Sequence, residues 1–250
     1  MRVLSVCATL AVCCGALQAQ ITVLNGASFR VEQPVTAGSW VTAFGTFAGV
    51  TSTTATVSPI PKALGGVTVS VDGAEAPVYF VSPGQINFLL PGSVTPGLKS
   101  VQVRTASGTV NGSARVISAG PGIFTKDATT QRPPKGAILN QDSTENTSSN
   151  LARRGQVIQI YATGPGALDG VIADGAPAPR SPLVRTKSTP QVYIGGVEAR
   201  VDFSGMAPDL AGVWQINVFI PDQPFIVGRV PVILFMDGVD SNEVTIFVAQ

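Results

Sequence analysis

One seven-residue phrase that occurs twice sets the tightest constraint on this chain. Gln85-Ile86-Asn87-Phe88-Leu89-Leu90-Pro91 returns 130 residues later as Gln215-Ile216-Asn217-Val218-Phe219-Ile220-Pro221. The surroundings return with it. Upstream of each copy, alternating apolar residues flank a two-residue turn, Asp72-Gly73 in the first and Gly195-Gly196 in the second. Such turns need positive φ at both central positions, and they join antiparallel strands. Each copy opens on a Gly-led apolar run, 38–44 and 155–161, and closes on two further runs, 100–103 and 114–117 in the first, 230–236 and 244–248 in the second.

Nowhere do apolar residues recur at helical spacing over a long window, and 27 Gly and 19 Pro break the chain repeatedly. Short strands with one buried face, about seven per copy, describe a β-sandwich of immunoglobulin size. The fold expected is therefore all-β, with two tandem immunoglobulin-like sandwiches. The boundaries expected are a leader at 1–19, a first sandwich at 20–124, a polar linker at 125–150 with Gly136-Ala137-Ile138-Leu139-Asn140 as a candidate strand inside it, and a second sandwich at 151–250. A second long insertion, 163–189, is rich in Gly and Pro and stands where a simple loop would suffice.

The leader opens with Arg2, runs apolar over residues 3–14 and closes on Ala16-Leu17-Gln18-Ala19, which reads as a secretory signal cleaved after Ala19. Its apolar run is too short for a stable membrane span, and no later run approaches that length. All three cysteines, Cys7, Cys13 and Cys14, lie in it, so the mature chain carries no disulfide. Leu10-Ala11-Val12-Cys13 is similar to a lipoprotein cleavage box, but Val12 is too large for the position before the Cys. Localisation is expected to be exported: periplasmic, cell-surface or extracellular.

The chain has no His, which removes the commonest general base and the commonest metal ligand together. Ser-His-Asp and Cys-His catalysis are excluded, as is any His-ligated metal centre. Sixteen Lys and Arg stand against 15 Asp and Glu, and loss of Arg2 with the leader balances the two. No net field draws nucleic acid or anionic lipid, and Arg153-Arg154 is too small a basic run for a nucleic-acid stripe. No glycine pattern opens a helix after a strand, so no nucleotide cofactor is called for.

Several phrases read together as a family signature. They are Val23-Leu24-Asn25-Gly26-Ala27-Ser28-Phe29, Pro34-Val35-Thr36-Ala37-Gly38-Ser39, Ser82-Pro83-Gly84-Gln85-Ile86-Asn87, Ala119-Gly120-Pro121-Gly122-Ile123-Phe124, Ala162-Thr163-Gly164-Pro165-Gly166 and Trp214-Gln215-Ile216-Asn217. With them the chain from about Ile21 onward resembles a C-terminal domain family of secreted acidobacterial (Solibacter-type) proteins. The repeats of that family resemble IPT/TIG-type immunoglobulin-like domains. The resemblance implies tandem sandwiches on an exported protein, and no activity. Asn140-Gln141-Asp142-Ser143 departs from the family's Gly after the Asp, which puts the tight turn there in question.

Candidate chemistry is sparse. Asn140, Asp142, Thr144 and Asn146 alternate like oxygen ligands of a calcium loop, without its mid-loop Gly or closing Glu. Asn/Asp/Ser/Thr clusters are more often plain surface turns, and Asp237 to Glu243 is a second acidic turn of the same kind. Asp72, Asp169, Asp174, Asp222 and Asp237 sit beside turn residues rather than as an obvious catalytic pair. Lys62, Lys99, Lys126, Lys135 and Lys187 stand in polar surroundings unsuited to a Ser-Lys nucleophile. Trp40, Trp214, Tyr79, Tyr161 and Tyr193 are candidate sugar-stacking aromatics, with core packing as the competing reading. Asn111 and Asn146 match the glycan acceptor pattern. Gln85/Asn87 and Gln215/Asn217 recur on one strand face and read as amides that tie down backbone at a sheet edge.

The function expected is an exported, non-enzymatic binding or spacer module with no cofactor. Its partner would be a protein or polysaccharide of the cell envelope, with self-association through sheet edges as an overlapping mode. A carboxylate-dependent hydrolase of polysaccharide is the alternative, and it requires two acids to converge in one cleft.

Overall fold

The computed structural model describes residues 20–31, 33–126 and 132–250. The leader with Cys13, and the centre of the expected linker at 127–131, lie outside the described residues. The first half holds β1 (Gln20–Asn25), β2 (Trp40–Phe44), β3 (Thr53–Thr54), β4 (Ala63–Leu64), β5 (Val67–Val71), β6 (Ala74–Ala76), β7 (Val78–Val81), β8 (Gln85–Leu89), β9 (Gly97–Thr105) and β10 (Gly108–Val116). The second holds β11 (Gly122–Ile123), β12 (Ile138–Leu139), β13 (Val157–Thr163), β14 (Gln191–Ile194), β15 (Val197–Ala199), β16 (Val201–Met206), β17 (Trp214–Phe219), β18 (Gly228–Met236), β19 (Val239–Asp240) and β20 (Val244–Val248). Among the described residues there is no helix.

In the first half one hydrogen-bonded path runs β3-β7-β8-β2-β1-β10-β9-β5-β4. β1 folds that path into two layers, because it pairs antiparallel with β2 and parallel with β10. Alternation then drives the layers together. Val41, Ala43, Ile86 and Phe88 from one arm meet Val69, Val71, Val101 and Val103 from the other, all essentially dry. Each such side chain contributes on the order of 1.5–3 kcal/mol by leaving water. The second half separates into two sheets, β11-β13-β17-β16 and β15-β14-β18-β19, with β12 on β13 and β20 on β18. Ile158, Ile160, Ile216 and Val218 pack there against Val192, Ile194, Val232 and Leu234.

The two halves thus repeat one plan, with β2, β7 and β8 matching β13, β16 and β17. Each is an immunoglobulin-like sandwich. The duplicated Gln-Ile-Asn phrase is the middle strand of the same layer both times, β8 and β17. Asp72-Gly73 and Gly195-Gly196 form the expected hairpin turns, with φ of 47°, 84°, 60° and 78° in that order. The two cores share no residue: one draws on residues 21–116, the other on 119–248.

Two segments bear on their sequence reading. Within 125–150, expected as a polar linker, the candidate strand at 136–140 contains β12, while Asn140 and Asn146 are buried. A stretch poor in apolar side chains enters the second sandwich through its amides instead. The tight turn at 140–143 also forms without a Gly: Ser143 takes φ of 64° and donates its N–H to the Asn140 carbonyl at 2.9 Å.

Candidate functional site

Three of the signature phrases meet where the sandwiches join. Asn25, fully buried at the end of β1, donates its amide to the Gly120 carbonyl at 3.0 Å and accepts the Ala27 and Ser28 N–H groups. A Cβ on Gly122 would stand 2.4 Å from the Asn25 side-chain oxygen. A Cβ on Gly164 would stand 2.0 Å from the Gly120 carbonyl oxygen. These glycines exist for close approach, so the backbones of the two halves interlock. Thr163 adds a cross-link, accepting the Trp40 N–H at 2.9 Å and donating to the Gly212 carbonyl at 3.1 Å. Arg30 reaches Asp240 at 2.8 Å, which employs the acidic turn 237–243 in the joint. Asn242 of that turn grips both the N–H and the carbonyl of Ile123.

The insertion 163–189 folds back over the first sandwich. The Gly175 carbonyl accepts the Ile60 N–H at 2.9 Å, and the Asp174 carboxylate accepts the Gly92 N–H at 2.8 Å. Its own small apolar cluster, Ala178, Val184 and Met206 with Leu168 and Ile172, keeps it packed on the second sandwich. A cleft of about 490 Å³ is left between this segment and the outer face of β2, β7 and β8. That volume lies within the roughly 300–1,000 Å³ usual for small-ligand sites. A second cleft of about 690 Å³ lies beyond Gly175, between the insertion on one side and Ala37, Leu90, Val94 and Ile117 of the first sandwich on the other.

The first cleft is lined by aromatic, apolar and small polar groups together with the carboxylate of Asp209. Val41 and Ala43 point into the core, so Trp40 and Thr42 point out toward it. A register shift between Val78 and Phe80 accompanies the outward turn of Tyr79, which is 40% exposed. The two rings meet edge to face, centroids 5.3 Å apart and planes at 74°. Trp40 is held firmly, its indole N–H donated to the Ala211 carbonyl at 2.9 Å. Behind the rings, the Asn87 side-chain oxygen accepts from the Thr42 hydroxyl at 3.0 Å and from the Gln85 amide at 2.8 Å. That leaves the Asn87 NH₂ as a donor on this wall, beside the Tyr79 and Ser58 hydroxyls that also line the cleft. Phe124, Pro177, Leu210 and Val213 face it across the gap. Asp209 is the one carboxylate among the described residues lining the cleft, and Arg180 grips both its oxygens, at 3.0 and 2.5 Å.

The other candidate residues are placed elsewhere. Trp214 is fully buried, with its indole N–H on the Ser204 hydroxyl at 3.0 Å. Tyr193 stacks edge to face on Phe235 at 5.7 Å. Tyr161 donates to Gln159, and burial pushes its phenol pKa up. Lys62, Lys99, Lys126 and Lys135 each face a carboxylate within 4 Å, and Lys187 is exposed. Arg154 lies 3.6 Å from Asp222. Asn111 lies on β10, whereas Asn146 is too buried to accept a glycan.

The calcium-like alternation is spent on hydrogen bonds. The Asn146 amide bonds the Asn140 side-chain oxygen and the Phe247 carbonyl, both at 2.9 Å, and its oxygen accepts the Phe247 N–H at 2.7 Å. Asp142 accepts both the N–H and the hydroxyl of Thr144. No group of three or more His, Cys, Asp or Glu among the described residues is arranged to hold a metal. A chelator is therefore expected to leave the melting temperature unchanged. A fall in Tm with EDTA that added calcium restores would contradict this.

The amide reading also changes in detail. Gln85 and Asn87 bond each other on β8, an interior strand, as do Gln215 and Asn217 at 2.8 Å on β17. The amide that ties down an edge is Asn146, which presents its NH₂ and oxygen to β20 as an added strand's backbone would.

The carboxylates that titrate unusually are structural. Glu145 is held below the usual glutamate range, chiefly by its hydrogen bond from Lys135 and then by the charges of Lys126 and Lys135. A depressed folded pKa stabilises fully above the unfolded value and is lost as pH falls through the folded one. Without His, no side chain of ordinary pKa titrates near neutrality. Tm is thus expected to be flat between about pH 6 and 8 and to fall only in acid. Glu145→Gln should shallow the acid limb slightly, by under about 1 kcal/mol, because the pair is half exposed.

No family model matches the chain, and no curated protein matches it. Solved structures do. SGBP-B of the Bacteroides ovatus mixed-linkage glucan utilization locus, in complex with a mixed-linkage heptasaccharide, is similar over 90% of this chain at 13% identity and a TM-score of 0.34. The plexin A4 extracellular region is similar over 93% at 12% identity and a TM-score of 0.30. Titin Ig tandem domains A164–A165 are similar over 93% at 10% identity and a TM-score of 0.24. The chain spans 47% of the SGBP-B chain, 16% of the plexin chain and 96% of the titin fragment. At these identities and TM-scores no ligand or activity carries over.

Proposed function

We propose that this chain is an exported, non-enzymatic binding module, a joined pair of IPT/TIG-like sandwiches of the cell envelope or extracellular space, with its ligand seated in the cleft between them. The observation that carries the reading is the convergence of Trp40 and Tyr79, 5.3 Å apart, on a cleft to which both sandwiches contribute. Large rigid aromatics beside a few fixed polar groups are what recognition sites use. The leader supports export. Among the described residues no helix is long and apolar enough to cross a membrane.

The hydrolase alternative needs two acids about 5–10 Å apart, both free to act. Each cleft is lined by one carboxylate, Asp209 or Asp174, and each is engaged, by Arg180 and by the Gly92 N–H. Immobilised protein exposed to envelope and secretome extract of its own host tests the binding reading. Saturable capture of a protein or polysaccharide is expected, and Tyr79→Ala should abolish most of it. Capture indifferent to Tyr79, or a blank with folded bait, would contradict the cleft as the site.

A further inference from the structure

We infer that the cleft's ligand is a neutral oligosaccharide, an inference that rests on the binding reading above and narrows it to a chemical class. Three properties of the wall select it. The first is the aromatic pair. Pyranose rings carry apolar C–H faces, and Trp40 and Tyr79 together offer a ring face and a ring edge for such a face to cover. The exposed Tyr79 gains the more from being covered.

The second property is the polarity of the donors. Asn87 has its oxygen occupied by Thr42 and Gln85, so its amide is fixed with the NH₂ as donor. A fixed donor beside an aromatic platform suits a hydroxyl or ring oxygen, which accepts without carrying charge. A polyproline segment also lies on aromatic rings and accepts through its carbonyls, which makes it the rival class that the binding test has to separate.

The third property is neutrality. Among the described residues lining the cleft Asp209 is the one charged group, and Arg180 pairs with it through two contacts. A phosphate, a uronic acid or a charged peptide would meet no unpaired opposite charge among the described lining residues, so its own charge would go uncompensated there. Uncharged sugars meet no such penalty. Both walls are fixed before binding, by the Asn25–Gly120 and Thr163–Trp40 contacts and by the Gly175–Ile60 bond, so little ordering cost falls on the ligand.

Calorimetry on the purified protein tests this with neutral oligosaccharides of glucose, xylose, mannose and N-acetylglucosamine. Oligogalacturonate serves as the charged probe and a polyproline peptide as the rival class. At least one neutral sugar is expected to bind with one-to-one stoichiometry. Tyr79→Ala should weaken it about tenfold. Asn87→Asp, which keeps the oxygen addressed by Thr42 and Gln85 but removes the donor, should weaken it about fivefold or more. Both variants should keep the wild-type Tm, since neither residue fills a core. A blank across the neutral sugars, a preference for oligogalacturonate, or binding unaffected by both substitutions would overturn the inference. Tyr79-dependent binding of the peptide, or Tyr79-dependent capture of a protein from extract, would overturn the sugar class while leaving the cleft in place. A blank in every arm would remove both.

Discussion

Gly164→Ala is expected to cost at least about 4 kcal/mol and to open the joint between the sandwiches before either core unfolds. Gly164 sits at φ +77°, a left-handed conformation that costs an L-residue roughly 1–2 kcal/mol. The larger part is steric. The new Cβ would stand 2.0 Å from the Gly120 carbonyl oxygen, a backbone atom with no rotamer through which to retreat. Gly120 is itself hemmed in, because Asn25 holds its carbonyl and a Cβ there would meet the Pro34 carbonyl at 2.7 Å. The strain is therefore relieved by moving residues 119–122 off the first sandwich. Gly196→Ala is the matched control: its φ is +78° and its Cβ would meet nothing within 4 Å. That variant should lose only about 1 kcal/mol. Scanning calorimetry should show one broadened or split transition for Gly164→Ala, and small-angle scattering should show a longer particle. Equal Tm losses for the two variants would mean that the contact with Gly120 carries no weight.

The second large effect is expected at Asn146→Ala, about 2–4 kcal/mol. Its side chain is buried and makes three hydrogen bonds, two of them to the backbone of Phe247. Truncation leaves the Phe247 N–H and the Asn140 side-chain oxygen without those partners while the surrounding packing still excludes water. Leaving buried polar groups unsatisfied is the costly direction of any hydrogen-bond change. Asp142→Ala, on the exposed part of the same loop, should lie within about 1 kcal/mol of wild type. Urea denaturation of the two variants separates the readings. A large loss at Asp142 with little at Asn146 would restore a ligand-binding role to this loop.

The sandwich plan was legible because it depends on local signals. The duplicated Gln-Ile-Asn phrase, the Asp72-Gly73 and Gly195-Gly196 turns and the strict alternation around them each report on a few neighbouring residues. The cleft was half legible. Trp40 and Tyr79 were visible as exposable aromatics, but nothing local shows that β2 and β7 flank β8 and set the two rings edge to face. The insertion 163–189 read as a long loop, since its grip on Ile60 and Gly92 uses one backbone carbonyl and one Asp.

The joint was present in the sequence as phrases without a meaning. Asn25, Gly120, Gly122 and Gly164 are far apart along the chain, and their shared role follows from close approach, which only a packed structure reveals. The burial of Asn140 and Asn146 within 125–150 was hidden for a related reason. Low apolar content signals a solvated linker, and here amides replace apolar side chains as the means of attachment.

Hydrogen exchange of the wild-type protein, with and without the neutral oligosaccharide panel, tests the cleft most directly. The account expects joint protection of Trp40–Phe44 and Val78–Val81 on the first sandwich and of residues 207–213 on the second. Protection on both sides at once is what a ligand seated between the sandwiches produces. Protection confined to loops at the far ends of the sandwiches, or to one side alone, would contradict it.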